Sequence, residues 1–244
     1  MRARAPRASA AQLGLELPRD RAVRVVDSRQ RIRRGPMEVA ARHLREARAA
    51  PAPAPTCLVL QQPDSVGGAA LLWQLAAAVA ADGASRVLAL TLVDPEPYVR
   101  GWLPQERQGA VSVVPLRAGS SLRKQALAAL PAGPGVHVFV DSLSLALMCW
   151  PASEVAAALL ELAEHAVVAG MASLLCTGLH SQRELDLARS LATCEVLLRP
   201  PKQLQADVMA SSIGCTAHVE AVTSTLRHSG ARAFAALHSM QRIC

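Results

Sequence analysis

Aromatic side chains are scarce: three Trp, one Tyr and two Phe make up only 2% of the 244 residues. A groove that stacks successive bases takes several rings, so Trp73 and Trp102 are read as packing anchors rather than base platforms. No apolar run approaches the roughly 20 residues needed to cross a bilayer, and no membrane partner is expected. The six cysteines (Cys57, Cys149, Cys176, Cys194, Cys215 and Cys244) form no CxxC pair. Most sit inside apolar runs, where cysteine behaves as a small hydrophobe. With no secretory apolar segment at the start, they point to a reducing compartment without zinc. A GxSxG elbow, an HExxH helix and a Cys–His constellation are all missing, and the seven histidines are scattered. Hydrolytic chemistry of those kinds has no footing.

What the chain does have is 51% hydrophobic residues, mostly Ala, Leu and Val. That supply and this length suit one aliphatic core. The net charge of +7 is unevenly placed. Residues 1–50 hold thirteen arginines against five acids, Glu16, Asp20, Asp27, Glu38 and Glu46, so the remainder is close to neutral. Such an arm reads as a solvated extension, as an RNA-phosphate contact, or as a targeting leader. Its acids argue against the leader. PAPAPT (51–56) is a stiff extended spacer and sets the expected boundary: residues 1–55 an extension, residues 56–244 the folded domain. Within the extension, Met37 to Ala49 suits a short helix with Val39 and Leu44 on one side.

Beyond the spacer, short apolar runs alternate with amphipathic ones. CLVLQ, RVLALTLV, AVSVVPL, VHVFVDSLS, MASLLCTGLH and CEVLLRP read as strands. GAALLWQLAAAVAADG, closed by Gly83, SLRKQALAAL and SEVAAALLELAEHAVVAG read as helices. SQRELDLARSLA reads as a helix opened by a capping box, Ser181 with Glu184. Two further strands flank RHSGAR near the end. Continuous apolar strands alternating with helices predict an α/β fold, a mostly parallel sheet covered on both faces. With the closing β-hairpin this is the outline of a RecA-like core of the P-loop NTPase type.

In such a core the first strand leads into GxxxxGK[ST], whose backbone N–H groups and lysine hold phosphates while the hydroxyl holds magnesium. Here the segment reads PDSVGGAA. With Gly68 as the second glycine, Pro63 replaces the first, Ala69 the lysine and Ala70 the hydroxyl; starting from Gly67 is no better. Pro63 removes a donor and Asp64 adds negative charge. The loop is degenerate, no cofactor or metal is expected, and hydrolysis by this chain alone is not. VHVFVDSLS has the shape of the second nucleotide motif, ending in Asp141, but with no first site to complete a magnesium shell Asp141 and Ser142 read as a strand end and a turn cap. His180 falls at the tip of the fifth strand, where a polar sensor or a plain surface histidine can sit.

LVLQQPDSVGGAALLWQL, VLALTLVDPEPYVRGWL, VFVDSLSLALMCWP, LLCTGLH and LATCEVLLRP follow one another over residues 57–200. In that order they resemble the Elongator complex protein 5 family, RecA-like accessory subunits of Elongator. DSLS (Asp141, Ser142, Leu143, Ser144) is its most specific piece. The resemblance implies a non-catalytic subunit of cytoplasm and nucleus. It would assemble with two homologous RecA-like subunits into a ring that binds tRNA and supports the catalytic subcomplex in wobble-uridine modification. It also implies that the former nucleotide face, near Asp64, Asp141 and His180, abuts a neighbour. The basic arm and the lack of an acidic tail after the hairpin depart from the family pattern. Three alternatives stay open: a subunit like the sixth Elongator protein, a divergent RecA-like ATPase or recombinase paralogue using a partner's phosphate loop, and a binding module whose arm meets RNA.

Overall fold

Strands that are apolar on every residue cannot face water on either side, and here both faces are covered. A computed structural model describes residues 36–46, 53–63, 67–199, 218–225 and 237–242. In chain order the elements are α1 (Pro36–Glu46), β1 (Thr56–Gln61), α2 (Gly68–Ala80), β2 (Arg86–Thr91), α3 (Glu96–Gly101) and β3 (Val111–Pro115). Then come α4 (Leu122–Ala128), β4 (Val136–Val140), α5 (Leu143–Cys149), α6 (Ala152–Glu164) and β5 (Val168–Cys176). The series closes with α7 (Gln182–Ser190), β6 (Cys194–Arg199), β7 (His218–Thr225) and β8 (Leu237–Arg242).

These described strands make one sheet, ordered β3-β2-β4-β5-β1-β6-β7-β8. The first six are parallel, and β7 and β8 add antiparallel to β6. The segment between β7 and β8, including the RHSGAR turn expected there, lies outside the described residues. Alternate residues of β1 serve two cores, as the two-residue period of a strand requires. Cys57 and Val59 face the layer of α1 and α2, whereas Leu58 and Leu60 face the layer of α4, α5, α6 and α7. Cys57 lies beside Cys194 on β6. The hydrogen bond between their thiols and burial together push the Cys57 thiol well up, which leaves it an inert core group.

Several boundaries differ from expectation. The fourth strand stops at Val140, and LSLALMC is a helix of its own, capped by the Ser142 side chain on Leu145 N–H at 3.1 Å. Helix α6 ends at Glu164, so Val168 to Gly170 belong to β5 rather than to the helix. Val155, Leu159 and Leu162 form its buried face, and Ala166 falls beyond its end. The packed part of the chain also reaches upstream of the proline spacer. Ala40, Ala41 and Leu44 of α1 are at most 1% exposed. The His43 ring bonds Thr193 Oγ1 at 2.8 Å, and the Leu44 carbonyl meets His137 Nε2 at 3.3 Å.

Candidate functional site at the carboxyl edge of the sheet

Ligands of open parallel α/β sheets bind beyond the carboxyl ends of the strands, and that edge gathers the degenerate loop, DSLS and the tip of β5. β1 delivers Gln61, Pro63 and then α2. The loop's Asp64, one of the residues singled out from the sequence, lies outside the described residues. Gly67 sits at φ 88°, a left-handed conformation that a glycine adopts without penalty. As N-cap it offers α2 no side-chain acceptor. The acceptor comes from behind: Gln61 Oε1 takes the Gly68 N–H at 3.0 Å. A Cβ on Gly68 would run into that same Oε1 and would stand 2.7 Å from Leu174 Cδ1. Pro63 lies against Gly178, where a Cβ would collide with its ring. Ala69 and Ala70 follow within the first turn and contribute methyl groups only.

Asp141 is at the end of β4, one strand removed from β1 because β5 is inserted between them. It is 2% exposed, and its carboxylate is already in use. Oδ1 accepts Leu92 N–H at 2.8 Å, and Oδ2 accepts the N–H groups of Leu92, Val93 and Asp94 at 2.9, 2.8 and 2.7 Å. Burial pushes the Asp141 carboxyl up, against the pull of these three backbone donors and with a small push from Asp94. Asp94 in turn accepts Trp73 Nε1–H at 2.6 Å, so the turn after β2 is tied both to β4 and to α2.

The rest of DSLS is equally engaged. Leu143 is buried, and Ser144 Oγ accepts Cys176 N–H at 2.8 Å, which holds the end of β5 against α5. His180 is not a plain surface histidine: its side chain is 3% exposed, Nδ1 lies 3.7 Å from Glu184 Oε2, and Nε2 is buried with no partner. The capping box expected from Ser181 and Glu184 is present, with Glu184 taking the Ser181 N–H at 2.9 Å. Two large apolar side chains at this end of the molecule face solvent: Val93 and Leu179 are 63% and 65% exposed.

The Gly68 N–H at the start of α2 holds the Gln61 carboxamide, and the Asp141 carboxylate accepts three backbone donors. Among the described residues no cluster of three or more His, Cys, Asp or Glu side chains suits a metal ion. No described helix is long and apolar enough to cross a membrane.

Comparison with solved structures identifies the architecture. The flagellar accessory protein FlaH from Methanocaldococcus jannaschii superposes with a TM-score of 0.50 at 9% identity, over 82% of this chain and 95% of that one. A separately solved ATPase domain gives a TM-score of 0.50 at 15% identity, over 75% of this chain and 80% of that one. The fold is RecA-like. A DnaB-like replicative helicase also matches, with a TM-score of 0.49 at 14% identity, over 75% of this chain and 54% of that one. No family model and no curated protein sequence matches the chain. At these identities the likeness concerns the fold alone.

Gln61 and Asp94 went unread as site residues in the sequence. Each had a signal: a polar residue at the end of an apolar strand, where unpaired backbone donors of the next element lie.

Proposed function

We propose that this chain is a non-catalytic RecA-like subunit of an Elongator-type complex. It assembles with two homologous subunits into a ring that binds tRNA and serves the subcomplex that modifies wobble uridines. The observation that carries the reading is the state of Asp141. A carboxylate in the position of the second nucleotide motif is spent on the backbone N–H groups of Leu92, Val93 and Asp94, so it supports the fold rather than a metal. The loop agrees, with Ala69 and Ala70 where a lysine and a hydroxyl neutralise and anchor phosphate in hydrolysing enzymes. The specific assignment to Elongator rests on the order of the sequence stretches ending in DSLS and LATCEVLLRP. The sixth Elongator protein shares the general description. Exposed Val93 and Leu179 supply apolar surface for a neighbour at the former nucleotide edge.

The enzyme reading, a divergent ATPase borrowing a partner's phosphate loop, makes the opposite demand: Asp141 must leave its backbone donors when nucleotide arrives. Affinity capture of the tagged full chain from cell extract is expected to bring down two RecA-like proteins in equal amounts, without nucleotide turnover that depends on Asp141. ATP hydrolysis by the purified single chain, abolished by Asp141→Asn, overturns the reading.

A further inference from the structure

We infer that the outer face of the helical layer carries a docking cleft for an acidic amphipathic helix of a partner protein, seated between the start of α4 and the turn that joins α5 to α6. This surface lies at the far end of α5 from Asp141, about 10 Å along a seven-residue helix, and its assignment does not depend on the ring.

The loop after β3 and the α5–α6 turn form the walls. Between them is an open cleft of about 590 Å³, lined by Gly119, Ser120 and Arg123 from the α4 side and by Cys149, Trp150 and Ala157 from the other. Its shape is fixed before anything binds. Trp150, itself buried, donates Nε1–H to the Ser120 carbonyl at 2.7 Å, and Glu154 Oε1 accepts the Leu122 N–H at 3.0 Å, so the two walls are tied together. Gly119 stands at φ 87°, with open space where a Cβ would project. A cleft already formed asks for little ordering when a ligand enters.

Two rails of different chemistry flank it. On the α6 side Met148 and Leu160 are 70% and 47% exposed, and exposed Ala157 lies one turn before Leu160 on the same helix face. From Ala152 to Leu160 the strip follows α6 for about 12 Å, the length of two turns of a partner helix. On the α4 side stand Arg117, Arg123 and Lys124, all exposed. Among the described residues only the backbone groups of Arg117 and Lys124 are bonded. Arg123 donates to Glu161 at 2.9 Å, but both side chains reach solvent, and a pair of that kind exchanges partners at little cost. The carboxylates here, Glu154 and Glu161, are thus in use, whereas two cations are not. An apolar rail beside a cationic one is complementary to a helix with apolar side chains at i, i+3 or i+4 and i+7 and carboxylates along one flank. Nucleic acid fits less well, because a phosphate backbone leaves Met148 and Leu160 uncovered and meets Glu154 and Glu161.

The test starts from random twelve-residue peptides displayed on phage and selected on the full chain. Enriched sequences are expected to carry Asp or Glu together with Leu, Ile, Met or Phe at helical spacing. The leading peptide, labelled with fluorescein, then gives affinities by anisotropy. Leu160→Glu is expected to preserve the melting temperature and to weaken binding roughly tenfold or more, as loss of an apolar anchor does. Arg117→Glu with Lys124→Glu should weaken it about tenfold at low salt and clearly less at high salt. Bound peptide should slow alkylation of the exposed Cys149 thiol by iodoacetamide, read by mass spectrometry. Val93→Asp with Leu179→Asp, at the edge assigned to the ring, should leave the affinity within about twofold, since sites without shared partners act independently. Failure of the cleft and failure of the ring are thereby read apart. Selection of basic or uncharged sequences, or of none, overturns the inference, as does an affinity unchanged in Leu160→Glu or a Cys149 that stays unshielded. A tRNA transcript that shields Cys149 in the parent but not in Arg117→Glu with Lys124→Glu also overturns it, assigning the cleft to nucleic acid. Self-association of the parent that Leu160→Glu abolishes does the same, assigning the face to a second copy.

Discussion

Asp141 and Asp94 hold each other's surroundings in place: the Asp141 carboxylate accepts the Asp94 N–H at 2.7 Å, and the Asp94 carboxylate, freed to point the other way, accepts Trp73 Nε1–H at 2.6 Å. Two acids thus join β4, the turn after β2 and α2 at the edge where a nucleotide enzyme keeps its metal. Removing Asp141 leaves three buried backbone donors without an acceptor. Asp141→Ala is therefore expected to cost about 3 kcal/mol, and Asp141→Asn, which keeps one oxygen in place, about half of that. Urea denaturation measures both.

The same residue has a pH signature. Burial raises its folded-state pKa above the unfolded value, so its ionisation opposes folding. Its contribution is fully present below the unfolded value of about 3.9 and is lost as pH rises through the folded pKa. The stability gap between the parent and Asp141→Asn is expected to be widest in acid and to narrow with rising pH. A gap that widens instead would mean that the backbone donors outweigh burial.

Gln61 and Gly68 are coupled through one hydrogen bond and one close approach. Gln61→Ala leaves the Gly68 N–H unpaired and is expected to cost about 1 kcal/mol. Gly68→Ala drives a methyl against Gln61 Oε1 and Leu174 Cδ1, for about 1–2 kcal/mol. In the double variant the methyl has lost one of its obstacles. The two effects should fall short of additivity by about 0.5–1 kcal/mol in a double-mutant cycle; strict additivity would separate the two residues.

Ser181 and Glu184 close the start of α7 reciprocally. Ser181→Ala is expected to cost about 1 kcal/mol near neutral pH. The hydrogen bonds from the Ser181 backbone and side chain are the main cause holding the exposed Glu184 carboxyl below its usual range. A depressed carboxylate stabilises above its unfolded value of about 4.3, and that help disappears as pH falls through the folded pKa. The Ser181→Ala deficit should shrink in acid. A deficit independent of pH would place the stabilisation in the hydroxyl alone.

These contacts separate what periodicity reveals from what it hides. The six parallel strands and the hairpin were legible because runs such as CLVLQ and VHVFV are apolar on both faces and a helix separates most of them. The capping box was legible because it is local. Helix α5 was not: FVDSLSLALMCW is apolar almost throughout, and only Asp141 and Ser142 mark where one period gives way to the other. The first residues of β5 were absorbed into the preceding helix because HAVVAG carries no proline or strong break. At the site, the missing lysine and hydroxyl could be read directly. The partners of the Gly68 N–H and of the Asp141 carboxylate, Gln61 and three backbone N–H groups, depend on which turn folds over which strand.

The least legible element was α1. Ala40, Ala41 and Leu44 make a narrow apolar strip in a stretch rich in arginine, and nothing in MEVAARHLREARA says that α2 and the sheet provide a matching surface. Once docked, Leu44 is fully buried, so Leu44→Ala is expected to cost about 2–4 kcal/mol, the range for a buried leucine whose site cannot collapse. Ending a truncation at residue 55 removes the whole helix and uncovers apolar surface on α2, β1 and β6, so that variant should aggregate or melt well below the parent. Ending it at residue 35 should leave the melting temperature nearly unchanged. Circular dichroism melts of the two truncations decide the point: equal stability would reduce α1 to an appendage, whereas a large difference makes residues 36–46 part of the domain.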